Sequence, residues 1–193
     1  MTSESPLIVR PANAAEPLVW LPADAPGALP ENAGLCGWLQ DSGSLTSRLR
    51  AGCQGCFRLE LLGEAAEPVP VDARELLEGA AARVRRVRLF CGDNLCVCAT
   101  TFIPDETLAG DSWLTELGDR PLGDALLERG GIQRSSFEFT RANPAHPLFS
   151  PALDGMDIRP AWVWARRSRF RLAAGPLLIY EMFLPDLTRC AKS

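Results

Sequence analysis

The chain has 193 residues, 47% hydrophobic and 23% charged, with a formal net charge of −4; that is enough length for one domain with a real core, and the charge argues against a non-specific nucleic-acid binder. No segment reaches the roughly 18 apolar residues of a transmembrane helix, and Met1-Thr2-Ser3-Glu4-Ser5-Pro6 carries neither the basic nor the apolar region of a secretory signal. Seven cysteines is an odd number, so the expectation is a cytoplasmic chain with reduced thiols.

Residues 1–33 are rich in Pro and Ala and lack periodicity, which leaves open an arm packed on the domain or a mobile one. Helical spacing begins at Gly34, with Leu35, Trp38 and Leu39 on one side. Gly43 breaks it, and Ser44 is a good N-cap for a second helix through Leu49. Residues 56–62 alternate as a strand, with Phe57, Leu59 and Leu61 on one face. Pro68-Val69-Pro70 is a connector. Asp72 and Glu75 have capping-box spacing for a short helix through Leu77. Residues 83–91 and 95–103 read as strands joined by a Gly92-Asp93-Asn94 turn. After Pro104, residues 105–130 read as two short helices with a turn at Gly118 and Pro121 at the first position of the second. Residues 132–140 alternate, with Phe137 and Phe139 inward. Residues 142–161, with four prolines and the only histidine, form a long loop. Strands follow at about 162–172 and 177–184. The fold class is α+β, one antiparallel sheet of about six strands with helices at the front and in the middle; residues 34–193 form the domain.

The chemistry concentrates in a few charged residues placed in apolar strands. Glu181 interrupts the run Leu177-Leu178-Ile179-Tyr180-Glu181-Met182-Phe183-Leu184, on the face of Leu177, Ile179 and Phe183. A buried carboxylate costs several kcal/mol unless paired or protonated. Glu181 is therefore either a structural ion pair or a ligand-binding or catalytic group, and the residues alone favour neither. In the strand Arg83-Val84-Arg85-Arg86-Val87-Arg88-Leu89-Phe90, alternation puts Arg86 and Arg88 with Val84 and Phe90, and Arg85 with Val87 and Leu89. At least one arginine must face the covered side; the strand is either a solvated basic edge or places an arginine to grip a carboxylate bidentately, and periodicity favours neither. In Arg166-Arg167-Ser168-Arg169-Phe170-Arg171, residues 167, 169 and 171 share a face expected toward solvent. Cys53-Gln54-Gly55-Cys56 is a weak redox or metal signal, and Cys91, Cys96 and Cys98 read as packing thiols. His146 reads as a loop residue without a nucleophile partner, and Gly130-Gly131 is a turn rather than a phosphate loop. No metal site is expected.

Several segments occur in an order that resembles the chorismate pyruvate-lyase family. They are Gly43-Ser44-Leu45-Thr46-Ser47-Arg48-Leu49, Val84-Arg85-Arg86-Val87-Arg88-Leu89-Phe90-Cys91, Ile103-Pro104 and Leu117-Gly118-Asp119-Arg120-Pro121-Leu122-Gly123. Trp164-Ala165-Arg166-Arg167-Ser168-Arg169-Phe170 and the Glu181 strand complete the set, which spans roughly residues 35–188. The resemblance implies an antiparallel sheet with two helical flaps over an internal site. It implies conversion of chorismate into 4-hydroxybenzoate and pyruvate, the first step of ubiquinone synthesis, without metal or organic cofactor. It places the carboxylate-binding arginine at Arg86, the buried glutamate at Glu181, and the flap positions at Leu45 and Leu122. Both leucines lie at helix starts, where free N–H groups favour an anion. Thr100 stands where many relatives carry arginine. The expected partner is a small molecule, with no nucleic acid and no membrane insertion, and the expected state is a monomer. The alternative is a non-catalytic effector-binding domain of the related fold found in transcription regulators; residues 1–33 are too short for the winged helix that precedes those domains.

Overall fold

The computed structural model describes residues 17–53, 56–77, 79, 81–156 and 160–190. In chain order it builds β1 (Leu21–Pro22), α1 (Ala33–Gln40), α2 (Leu45–Gly52), β2 (Phe57–Pro68), α3 (Arg74–Leu77), β3 (Ala81–Cys91) and β4 (Asn94–Ile103). Then come α4 (Asp105–Gly110), α5 (Leu122–Glu128), β5 (Gln133–Arg134), β6 (Glu138–Ala142), β7 (Val163–Arg171), β8 (Pro176–Phe183) and α6 (Leu187–Cys190). The strands form one antiparallel sheet in the order β1-β6-β7-β8-β4-β3-β2, with β5 beside β7. Six strands have five or more residues, as the α+β reading expects; β1 and β5 are two-residue additions.

Register places residues from four strands in rows. Arg85 lies opposite Thr101, Thr101 opposite Ile179, and Ile179 opposite Ser168. The next row is Val87, Ala99, Glu181 and Arg166, and the next is Leu89, Val97, Phe183 and Trp164. Side chains alternate along a strand, so these rows all project from the same face.

Both faces are covered. On the face away from these rows, Val84, Phe102, Leu178, Tyr180 and Met182 pack with Ala73, Leu77, Phe149 and Leu153. That layer comes from α3 and from 3-10 turns at Val71–Ala73 and Ser150–Leu153. The other face carries two separate clusters. Trp38, Leu39 and Leu49 of α1 and α2 cover Leu89, Val97 and Phe183 at one end. Leu114, Leu122 and Leu126 cover Phe170, Leu177 and Ile179 at the other. Arg85, Thr101, Glu181 and Arg166 lie between them.

Several local expectations change with this layering. Arg167 is buried rather than solvent-facing, because the α3 layer covers its face; its Nε donates to Glu138 at 2.9 Å and its Nη1 to the Asp72 carboxylate at 3.2 Å. Asp72 forms no capping box: its side chain also accepts from Trp20 Nε1 at 2.6 Å, and it lies inside the 3-10 turn Val71–Ala73 that leads into α3. The strand expected over 132–140 is broken at Ser135–Phe137, and pairing to β7 shifts by one residue between β5 and β6. Residues 105–130 hold α4, a 3-10 turn at Ser112–Glu116 and α5, and Pro121 is the N-cap of α5 rather than its first residue. The loop 142–161 includes the 3-10 turn, whose Ala152 and Asp154 carbonyls accept from Arg88. Within the amino-terminal arm, Leu18 and Trp20 pack on the core and β1 pairs with β6. The expectation of reduced packing thiols fails at one pair: Cys53, the C-cap of α2, is disulfide-bonded to Cys91 at the end of β3, with Cα atoms 5.2 Å apart. Cys96 and Cys98 are buried. No helix among the described residues is long and apolar enough to cross a membrane.

Candidate active site

A cavity lies between the two clusters. Arg85, Val87, Ala99, Thr101, Glu181 and Arg166 form its floor, and the amino-terminal ends of α2 and α5 form its roof. Ala99 sits between Val87 and Glu181 in its row, and its small side chain leaves room above the sheet.

Arg85 stands at one side of the floor. Only 2% of its side chain is exposed, and its Nη1 donates to Glu64 at 2.5 Å. Its Nη2 reaches the Arg120 carbonyl oxygen at 3.1 Å, in the turn before α5. A β-bulge between Leu61 and Gly63 resets the pairing of β2, and that puts Glu64 directly opposite Arg85. A charged pair so placed holds the guanidinium still while leaving it in the cavity wall.

Arg86 is not at the cavity, and this corrects the site expected from the resemblance. The strand period of two sends it to the opposite face. There both of its terminal nitrogens bind Glu67, at 2.5 and 2.7 Å. That hydrogen bonding holds the Glu67 carboxyl below its usual range, with burial acting the other way. Thr100 also points to the far face; its neighbour Thr101 lines the cavity.

Glu181 lies on the floor two strands from Arg85. Its Oε2 accepts from Arg166 Nε at 2.5 Å. Arg166 is 1% exposed, whereas 15% of the Glu181 side chain remains open. Arg166 Nη1 also donates to the carbonyl oxygens of Trp38, Leu39 and Asp41, at 3.2, 2.8 and 2.8 Å. These belong to the end of α1, where carbonyls lack helical partners and a cation is favoured. Arg166 thus ties Glu181, the sheet and α1 together. Alternation placed it on the covered face by default, yet nothing in the sequence marks it as Glu181's partner.

The roof comes from two helix starts. Ser44 caps α2 by accepting from Ser47 N at 2.9 Å, and Leu45, 6% exposed, follows it. Leu122, 7% exposed, opens α5. Gly118 has φ 54° in the turn before α5, a left-handed conformation natural to glycine. The helices are joined directly: Ser44 Oγ bonds the Asp124 carboxylate, Ser47 Oγ approaches it at 3.3 Å, and Arg50 lies 3.7 Å from its other oxygen. Leu45, Leu122 and Glu181 therefore meet at one cavity, with Arg85 in the place expected for Arg86.

A further cation, Arg134 of β5, lines the same cavity. Its guanidinium lies 4.6 Å from the Phe137 ring and 5.7 Å from that of Phe170, and it donates to the Ser42 carbonyl oxygen. Arg134 was missed because its strand is two residues long and followed by serines. His146 serves its own turn, accepting from Leu148 N at 3.2 Å.

Among solved structures, the C-terminal domain of PhnF aligns with a TM-score of 0.50 at 14% identity, covering 67% of this chain and 83% of that one. The effector domain of PhnF from Mycobacterium smegmatis aligns with a TM-score of 0.49 at 14% identity, covering 75% and 90%. At such identity the first likeness speaks to the fold alone. Sequence relatives are nearer. A protein of Nitrosomonas europaea named "Probable chorismate pyruvate-lyase" is 37% identical over 178 residues, 90% of this chain and 97% of that protein. The "Chorismate pyruvate-lyase" of Pectobacterium carotovorum subsp. carotovorum is 32% identical over 174 residues, 85% of this chain and 83% of that protein. Residues 14–191 match the family described as "Chorismate lyase", and with relatives this similar along most of its length the chain belongs to the chorismate lyase family.

Proposed function

We propose that the protein is a chorismate lyase that releases 4-hydroxybenzoate and pyruvate, at the opening of ubiquinone synthesis. The observation that carries this reading is the placement of Arg85 and Glu181 on one cavity floor, two strands and one row apart with Ala99 and Thr101 between them. Strand spacing puts their backbones roughly 10 Å apart across the sheet. Side chains converging from that distance suit a small aromatic acid, with its carboxylate at Arg85 and its 4-hydroxyl at Glu181. Relatives named for this activity cover most of the chain.

The chemistry asks for holding more than for force. A proton leaves ring C4, the C3–oxygen bond to the enolpyruvyl group breaks with its electron pair going to that oxygen, and the ring becomes aromatic. The released enolpyruvate takes a proton at its methylene carbon to become pyruvate. The electrons stay within the substrate, so the step is redox-neutral. Aromatisation drives it, and the site stabilises charge as the ether bond opens. Arg85 takes the role expected of Arg86 and grips the ring carboxylate, with main-chain N–H groups at Leu45 and Leu122 adding donors. Glu181 polarises the 4-hydroxyl or accepts the C4 proton, and Arg166 fixes its orientation. Leu45 and Leu122 exclude water from above.

The test is to mix purified protein with chorismate and follow 4-hydroxybenzoate and pyruvate together, without added metal. Equal amounts of the two products are expected. A well-folded sample that yields neither would overturn the lyase reading and leave a ligand-binding domain.

A further inference from the structure

Arg134 stands out among the cavity's arginines by what it lacks. Arg85 is paired with Glu64 and Arg166 with Glu181. Among the described residues Arg134 has no carboxylate partner, only the neutral Ser42 carbonyl and two aromatic rings. Burial and the nearby positive charge of Arg166 both lower its pKa, and Glu181 and Asp41 act in the opposite direction. A cation so placed is a waiting site for an anion.

Its position relative to Glu181 narrows the choice. Arg134 pairs with Phe170 on the far side of β7, whereas Arg85 lies on β3, so four strand positions separate the two guanidinium-bearing residues. Glu181 and Arg166 lie between them. Resting on the lyase reading, this order puts the ring carboxylate at Arg85, the 4-hydroxyl at Glu181, and the neighbouring C3 substituent toward β7 and β5. That substituent carries the second carboxylate.

We propose that Arg134 binds the enolpyruvyl carboxylate of the substrate, the group that leaves with pyruvate. Arg134 then recognises substrate and not the aromatic product, which carries one carboxylate and is held at the Arg85 end. Aromatic stacking by Phe137 and Phe170 fixes the direction of the guanidinium, so the second carboxylate also sets which face of the ether linkage meets Glu181.

The experiment compares a monoacid with a diacid on the full chain. Calorimetry measures binding of 4-hydroxybenzoate and of 3-(carboxymethoxy)-4-hydroxybenzoate, a diacid with no pyruvate to release. Arg134→Gln is expected to weaken the diacid about tenfold or more, as for loss of a charge-assisted hydrogen bond. The same variant should leave 4-hydroxybenzoate within about twofold. The KM for chorismate should rise in parallel, and Arg134→Lys should restore part of the diacid affinity. Equal weakening of both ligands, or of neither, overturns the assignment. If Arg134→Gln does not fold, Arg134→Lys and Arg134→Met report the same ratio of affinities. Wild-type turnover with an unchanged ratio in the variants sinks the Arg134 proposal alone. Wild type that neither binds nor converts chorismate sinks the lyase reading beneath it.

Discussion

Arg85 and Arg86 are consecutive in β3 and serve opposite faces of the sheet: Arg85 lines the cavity beside Glu64, and Arg86 is clasped by Glu67 in the far layer. Substituting each separates site from scaffold. Arg85→Ala should lower kcat/KM for chorismate by on the order of 10²–10³, the cost of losing a charged donor in a closed site. Arg86→Ala should leave kcat/KM within a few-fold. Steady-state kinetics on both variants decides it; the reverse pattern would return the carboxylate to Arg86.

Glu181 and Arg166 are paired on the cavity floor, and the proposed lyase reading gives the chemistry to Glu181 and its orientation to Arg166. Glu181→Gln keeps an oxygen for Arg166 Nε but removes the charge. We expect kcat to fall on the order of 10²-fold or more and stability by about 1–3 kcal/mol. Binding of 4-hydroxybenzoate should change much less than kcat. A variant with wild-type kcat would reduce Glu181 to a structural partner of Arg166.

Asp124 fastens the two roof helices through Ser44, with Ser47 and Arg50 at its sides. Asp124→Ala should loosen that fastening and speed escape of product from beneath Leu45 and Leu122. Stopped-flow release of 4-hydroxybenzoate should be several-fold faster, on the order of one lost hydrogen bond. An unchanged release rate would mean that the roof opens elsewhere.

Glu67 gives a pH dependence of definite sign. Its folded pKa is depressed below the ordinary 4.5, chiefly by the Arg86 hydrogen bonds. The stability it contributes is present above that value and is lost as pH falls through the lower, folded one. The Glu67 side chain is one-third exposed, so Glu67→Gln should cost no more than about 1 kcal/mol near neutrality. Urea denaturation of both proteins over a pH series from neutral into acid should show the gap narrowing as pH falls below 4.5. A gap that persists there would assign the loss to packing.

Much of this architecture was legible because apolar alternation is a local property. The strands at 83–91 and 95–103, the turn at Gly92, the Ser44 cap and the face shared by Glu181 and Ile179 all follow from spacing. Even the division of Arg85 from Arg86 between the two faces of the sheet was written in the alternation. What spacing cannot carry is the second layer. Arg167 looked solvent-facing because nothing local reveals that α3 and Trp20 cover it. Asp72 had the spacing of a capping residue, but Trp20 and Arg167, distant in sequence, claim its carboxylate. Arg134 and the bonding of Cys53 to Cys91 depend on where β5 and the end of α2 come to rest, which only the assembled sheet determines.

The cross-link at Cys53 has a mechanical meaning for α2. The helix is pinned to β3 at its carboxyl end by Cys91, and its opposite end, at Ser44 and Leu45, is held to α5 by Asp124. Eight residues at 1.5 Å each make a lever about 12 Å long. A swing of roughly 10° about Cys53 would carry Leu45 about 2 Å from the cavity. On the proposed lyase reading, α2 is a door hinged at the disulfide, with the Asp124 carboxylate as its latch.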